Sequence, residues 1–264
     1  GSPSYTAPDG KKYVSPLTPI TLSAQDPAVN EVASGLKLLE IDIGQGFVAY
    51  QNPLTFARGH RQFQFRAADN VGNVEQPKSL ELYSDGTVPV TAISYDGFHL
   101  LRADNPGLPP AEAEEFISPQ TKVILSAQDP GTEFASGVKV TEYRLDDGTW
   151  MAYSAPFSIT AEGLHILAWR SKDQVDNEET AHSLKIAVLD DIQPPRTVMG
   201  IGLPNYIGPT AAYVTSGTEL TLTAVDDRLT VGDRLGLGVE KTEYSVDAGI
   251  LARYAAPIKL SGAG

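Results

Sequence analysis

A five-residue run that returns word for word sets the terms for this chain. Ser23-Ala24-Gln25-Asp26-Pro27 reappears as Ser126-Ala127-Gln128-Asp129-Pro130, and a looser third version is Thr223-Ala224-Val225-Asp226-Asp227. Other landmarks follow each copy in the same order. Ala33-Ser34-Gly35 returns as Ala135-Ser136-Gly137, and Glu40-Ile41 as Glu142-Tyr143 and Glu243-Tyr244. The triplet Phe47/Tyr50/Pro53 becomes Trp150/Tyr153/Pro156 and then Leu251/Tyr254/Pro257. Asp69-Asn70-Val71-Gly72-Asn73-Val74-Glu75 becomes Asp173-Gln174-Val175-Asp176-Asn177-Glu178-Glu179. The period is about 100 residues, long enough for each copy to be a domain rather than a solenoid turn. The expected domains are therefore 3–85, 86–190 with an insertion at 96–117, and 191–264, the last truncated before its final two strands. The chain reads as a segment of a longer protein.

Each copy reads as strands. Val123 to Ala127 is β-branched and is stopped by Asp129-Pro130-Gly131. Val138 to Leu145 alternates, and Asp146-Asp147-Gly148 is a hairpin signal. Trp150 to Tyr153, Phe157 to Ile159, Leu164 to Ser171 and Ser183 to Leu189 complete the set. Only Pro110 to Phe116, inside the insertion, looks like a short helix. About seven strands in about 100 residues is the signature of an immunoglobulin-like sandwich, with a barrel as the other all-β solution. The expected class is all-β, in tandem immunoglobulin-like domains.

Composition narrows the chemistry. The net charge is −13, which argues against nucleic acid, since phosphate contacts need clustered Lys and Arg. Cysteine is absent, so disulfides and thiolate metal sites are excluded. No apolar run approaches the ~18 residues of a membrane helix. The histidines His60, His99, His165 and His182 are scattered, and neither His-Glu-x-x-His nor Gly-x-Ser-x-Gly occurs. The acids repeat with the fold, as a structural role requires and a single active site does not. The expectation is a protein that is not an enzyme.

The landmarks Ala127, Asp129, Ser136-Gly137-Val138, Glu142-Tyr143, Asp146/Asp147, Tyr153, Pro156, Glu162-Gly163, His165, Ser171, Asp173, Asn177 and Glu179 together carry a resemblance. They resemble the immunoglobulin-like repeat modules of large bacterial secreted and surface proteins, in particular a family named after a spirochaete outer-membrane protein. Repeat one keeps the family's glycine at Gly72, where repeat two has Asp176. The resemblance implies a stalk or adhesion segment of an extracellular or cell-surface protein. Its partners would be further such domains of the same parent chain, with a protein or glycan ligand on another surface. The alternative is an accessory, carbohydrate-binding region of a secreted multidomain enzyme.

Sandwich topology adds one inference about sites. The second and sixth strands run the same way, so the loops after them meet at one pole, and the linker from the preceding repeat enters there too. For repeat two this gathers Asp85, Asp129, Asp173, Asp176, Asn177 and Glu179. For repeat one it gathers Asp26, Asp69, Asn73 and Glu75, and for repeat three Asp190, Asp191, Asp226 and Asp227. Clustered carboxylates repel, and a hard cation with oxygen ligands, Ca2+, would satisfy them. The other reading needs no metal: Asp and Asn cap loop amides. Exposed aromatics such as Phe47, Tyr50, Trp150 and Tyr153 could stack on sugars or simply pack at a turn.

Overall fold

The computed structural model describes residues 1–30, 32–131, 133–228 and 236–261. Every regular element is a strand, and there is no helix among the described residues. The fold is all-β, built from tandem immunoglobulin-like sandwiches. Two compact units divide the chain: Gly1–Asp96 with Lys122–Phe157 and Ile166–Leu184, and Gly97–Thr121 with Ser158–His165 and Lys185–Gly264.

Repeat one lies wholly in the first unit. Its strands are β1 (Ser4–Thr6), β2 (Lys12–Val14), β3 (Leu36–Asp42), β4 (Val48–Ala49), β5 (Gly59–Asp69) and β6 (Lys78–Ser84). They form one sheet in the order β1-β2-β6-β5-β3-β4. Pairing is antiparallel except between β2 and β6, where Tyr13 faces Tyr83 and Val14 faces Ser84 in parallel. The opposing layer is thin: Ile20 and Leu54 exchange backbone hydrogen bonds of 2.7 and 3.0 Å. Val14, Ile20, Ile41, Phe63 and Leu82 fill the core, with Phe56 and Phe65 packed against them. Alternation along β5 produces this, since Phe63 and Phe65 share one face while Gln62 and Gln64 share the other.

Repeat two contributes β7 (Val90–Asp96), β8 (His99–Leu101), β9 (Glu115–Ile117), β10 (Lys122–Gln128), β11 (Val138–Leu145), β12 (Met151–Ala152), β13 (Gly163–Asp173) and β14 (His182–Val188). In the first unit β7 and β10 pair along their full length. There β11 pairs with β12 on one side and β13 on the other. Leu167 and Trp169, equivalent to Phe63 and Phe65, point inward at 0% and 6% exposure. The segment read as a strand from Phe157 to Ile159 shrinks to a single bridge from Phe157 to Val123.

In the second unit β9 pairs antiparallel with β8 and parallel with Ile186–Val188 of β14. Repeat three follows with β15 (Arg196–Ile201), β16 (Asn205–Ile207), β17 (Ala212–Val214), β18 (Leu220–Val225), β19 (Glu243–Tyr244) and β20 (Ala252–Arg253). Among the described residues these pair as three ribbons, β15-β18, β16-β17 and β19-β20, with a single further bridge between Leu220 of β18 and Ile258.

The segment 96–117 holds the β8-β9 hairpin, whose counterparts in repeats one and three are β1-β2 and β16-β17; repeat two has the longer connection, 102–114 against 7–11 and 208–211. The expected helix from Pro110 to Phe116 is not formed; the segment turns and enters β9. The Arg102 guanidinium explains why. It donates to the carbonyls of Ala113 (2.9 Å), Leu108 (2.6 Å), Asn105 and Pro106 (both 3.3 Å) and to that of Pro110. A segment of barely two turns gains little from its own hydrogen bonds, so an external donor captures its carbonyls.

Each hairpin is closed by a buried threonine. Ser15–Thr18, Ser118–Thr121 and Thr215–Thr218 form equal turns in which the threonine hydroxyl accepts from the first residue's N–H at 3.1, 3.3 and 3.0 Å. It then donates back to the carbonyls of Pro3, Phe98 and Pro204 at 2.8, 2.7 and 2.5 Å.

Tyr13 is 7% exposed, whereas its counterpart Tyr213 is 61% exposed. The difference arises because β2 is covered by β6, while β17 has no strand beyond it among the described residues. Hydrogen exchange followed by mass spectrometry is expected to show peptides spanning β17 and β19 exchanging at least ~100-fold faster than those spanning β5 and β13. Equal protection would show that repeat three is closed in solution.

Candidate functional site

Strand β6 runs directly into Asp85, β10 into Asp129, and β13 ends on Asp173. One carboxylate oxygen from each of these aspartates lies within 4.8 Å of the others; Asp85 and Asp173 are buried and Asp129 half-buried. No other such group of three occurs among the described residues.

Asp85 is held on every side. Its N–H donates to the Val14 carbonyl at 2.8 Å, and its own carbonyl accepts from Asn177 Nδ2 at 2.9 Å. Its carboxylate accepts from the Ser136 N–H (2.7 Å), the Thr87 N–H (3.0 Å) and the Thr87 hydroxyl (2.7 Å). Asp129 accepts from the Gly137 N–H at 2.7 Å and, at 3.4 Å, from the Thr87 hydroxyl. Asp173 closes its own loop, accepting from the N–H groups of Val175 (2.9 Å) and Asn177 (2.8 Å) and from Asn177 Nδ2 (2.6 Å).

The three carboxyls differ in acidity. Burial pushes Asp173 up to about 6 against the pull of the Asn177 and Val175 donors, and the Asp85 charge adds to the rise. Burial also raises Asp129, opposed by the Gly137 amide and reinforced by Asp85. For Asp85 burial acts upward as well, but the Ser136 amide and the Thr87 donors outweigh it and hold the group below its usual range. The site thus sets one carboxyl held below the usual carboxylate range beside two pushed above it.

The chain is similar to the fibronectin(III)-like modules of Clostridium thermocellum CbhA, at 14% identity over 64% of this chain and 82% of that one, with a TM-score of 0.35. No protein-family model and no curated protein matches it.

The same loop bonds recur across the repeats. Asp26 accepts from the Gly35 N–H at 2.8 Å and Asp226 from the Gly238 N–H at 2.8 Å, as Asp129 does from Gly137. These glycines have φ of +84°, +88° and +101° in chain order, a left-handed conformation that glycine adopts without a Cβ penalty. Asp69 holds the Val71 and Asn73 N–H groups at 3.0 and 2.8 Å, reproducing the Asp173 turn. Asp191 is the counterpart of Asp85, accepting from Gln193 N–H at 3.1 Å and Leu237 N–H at 2.9 Å. Burial, followed by the Asp191 charge among other causes, raises Asp226. Asp190 is exposed and Asp227 is buried.

Several of the expected acids are engaged elsewhere. Glu179 is buried and binds the N–H of Thr91 at 3.1 Å and its hydroxyl, tying the loop to β7. Asp176 points outward to Lys139 at 2.6 Å. Glu75 takes the Ala67 N–H at 3.0 Å and Lys78 at 2.7 Å, while Asn73 Nδ2 donates to Asp69 at 2.7 Å. Glu40 and Glu142, landmarks of the repeat outside the expected acid sets, pair with Arg66 and Arg170 at 2.7 and 3.2 Å.

The aromatic candidates for sugar stacking are also covered. Arg170 and Arg144 lie over the Trp150 ring at 4.3 and 5.2 Å, and Arg66 over Phe47 at 4.0 Å. Tyr143 stacks on Phe157, with Tyr153 meeting both edge-on.

Two residues of the site lie outside the sequence reasoning. Thr87 bridges Asp85 and Asp129. Ser136 is 7% exposed and its buried Oγ has no hydrogen-bond partner. That hydroxyl faces the Asp85 carboxylate and helps lower its pKa without completing a hydrogen bond. The repeated Ala-Ser-Gly landmark marks its position, but the pattern alone does not say that the serine turns inward.

Proposed function

We propose that this chain is a non-enzymatic spacer segment of a bacterial extracellular or cell-surface protein, in which consecutive sandwiches are fixed end to end to present a binding function carried elsewhere. The observation that carries this reading is Asp85. Its backbone is bonded to Val14 of repeat one, while its carboxylate and carbonyl are bonded to Ser136 and Asn177 of repeat two. A linker residue gripped from both domains opposes bending at the joint, which suits a stalk more than a flexible tether. Pro16 beside Gly86, and Arg58 lying 5.9 Å over Phe134, add packing at the same joint.

The absence of cysteine makes the test direct. Spin labels on cysteines introduced at the exposed positions Gln51 and Asp147 are expected to give a single narrow distance distribution by pulsed electron resonance. Asp85→Ala is expected to broaden it. A broad distribution in the parent chain would overturn the rigid-spacer reading.

A further inference from the structure

We propose that Asp85, Asp129, Asp173 and the Ser136 hydroxyl form a binding site for one calcium ion. The proposal deepens the spacer reading and rests on it only for the consequence, a joint that stiffens when the ion binds.

Ligands on opposite sides of a calcium ion stand about 5 Å apart, because each lies about 2.3–2.6 Å from the metal. Three carboxylate oxygens mutually within 4.8 Å can therefore share one ion without rearrangement of the backbone. Backbone amides already fix each carboxylate: Ser136 and Thr87 orient Asp85, Gly137 orients Asp129, and Val175 and Asn177 orient Asp173. Such bonds occupy one lone pair and aim the other, as the outer partners of a metal site do. Asp129 Oδ1 holds only the long 3.4 Å contact from Thr87.

The second observation is a buried hydroxyl beside the acids. A buried hydroxyl with no partner costs free energy unless something supplies one. Ser136 Oγ is such a group and faces Asp85. Its counterpart Ser34, in repeat one, donates to Asp26 at 3.4 Å. Among the described residues, the joint between repeats one and two is the place where a threefold acidic set meets an orphan oxygen.

The choice of ion follows from the donors. Of the cationic side chains nearby, Lys139 is committed to Asp176, Lys172 to Glu178, and Arg170 to Glu142 and Glu178, while Arg58 lies over the Phe134 ring beside Gly131. Zinc favours His and Cys, and neither is in this set. Magnesium keeps most of its waters, whereas calcium accepts many protein oxygens in irregular geometry.

The test uses the full chain stripped with chelator, by titration calorimetry and thermal melting with CaCl2, MgCl2 or NaCl at matched ionic strength. Calcium is expected to bind one equivalent and to raise the melting point by about 5–10 °C at a hundredfold excess over Kd. Asp129→Asn keeps an oxygen for the Gly137 amide and removes a repelling charge. It is expected to leave the metal-free melting point unchanged or higher while weakening calcium binding at least ~10-fold. Ser136→Ala is expected to weaken binding about 3-fold with no loss of metal-free stability. No heat and no melting shift with calcium would overturn the proposal, as would an equal shift with magnesium or an undiminished shift in Asp129→Asn. A narrow spin-label distance in chelator alongside absent calcium binding would sink the ion and leave the spacer reading standing.

Discussion

Asp85→Ala lowers the stability of the chain by about 3 kcal/mol, measured by urea denaturation in chelator. The sign is not obvious, because removing one of three crowded carboxylates also relieves repulsion on Asp129 and Asp173. The acidity of Asp85 decides it. Its folded-state pKa lies below the ordinary value even though burial acts upward, so its ionised form is on balance favoured by the fold. A depressed carboxyl contributes stability above its unfolded pKa, and that contribution is lost as pH falls through the folded value. At neutral pH it is therefore fully present. Alanine leaves the Ser136 N–H buried without an acceptor and frees both Thr87 donors, at about 1–3 kcal/mol for each buried group left unpaired. Repulsion relief offsets part of that total. A variant more stable than the parent in chelator would show that repulsion dominates.

Thr121→Val costs about 2–3 kcal/mol although it changes neither volume nor branching. Thr121 is 0% exposed, and its hydroxyl both accepts from Ser118 and donates to the Phe98 carbonyl. Valine fills the same space and leaves both partners unmet in a dry site. The equivalent change at Thr18, which is 1% exposed, is expected to cost the same within about 1 kcal/mol, since its bonds to Ser15 and Pro3 match in kind and length. Denaturant midpoints of the two variants check this. A cost under about 0.5 kcal/mol at either position would show that the turn is held by its backbone alone.

How much of this is legible in sequence depends on the range of the deciding interaction. Strand β11 is readable in full from Val138 to Leu145, because alternation and a closing Asp-Asp-Gly are local signals. The gathering of Asp85, Asp129 and Asp173 is legible from strand directions alone, since topology fixes which loops share a pole. The fate of Asp176 and Glu179 is not. Each is taken by a partner, Lys139 or Thr91, that lies far off in the chain. The loop carbonyls captured by Arg102 defeat the helix expected at Pro110 to Phe116, and nothing in that segment's own pattern announces an external donor. The threonine turns are a different case. Ser15-Pro16-Leu17-Thr18, Ser118-Pro119-Gln120-Thr121 and Thr215-Ser216-Gly217-Thr218 repeat openly, and they reveal the hairpin in all three repeats once aligned.

The parallel pairing of β2 with β6 has a mechanical consequence. These strands lie near the two ends of repeat one, with Tyr13 beside Tyr83 and Val14 beside Ser84. Tension applied along the polypeptide would drag them in opposite directions, so their cross-strand bonds and the neighbouring Asp85 contact would be sheared together rather than unzipped one by one. A module wired in this way resists extension in proportion to the length of that clamp.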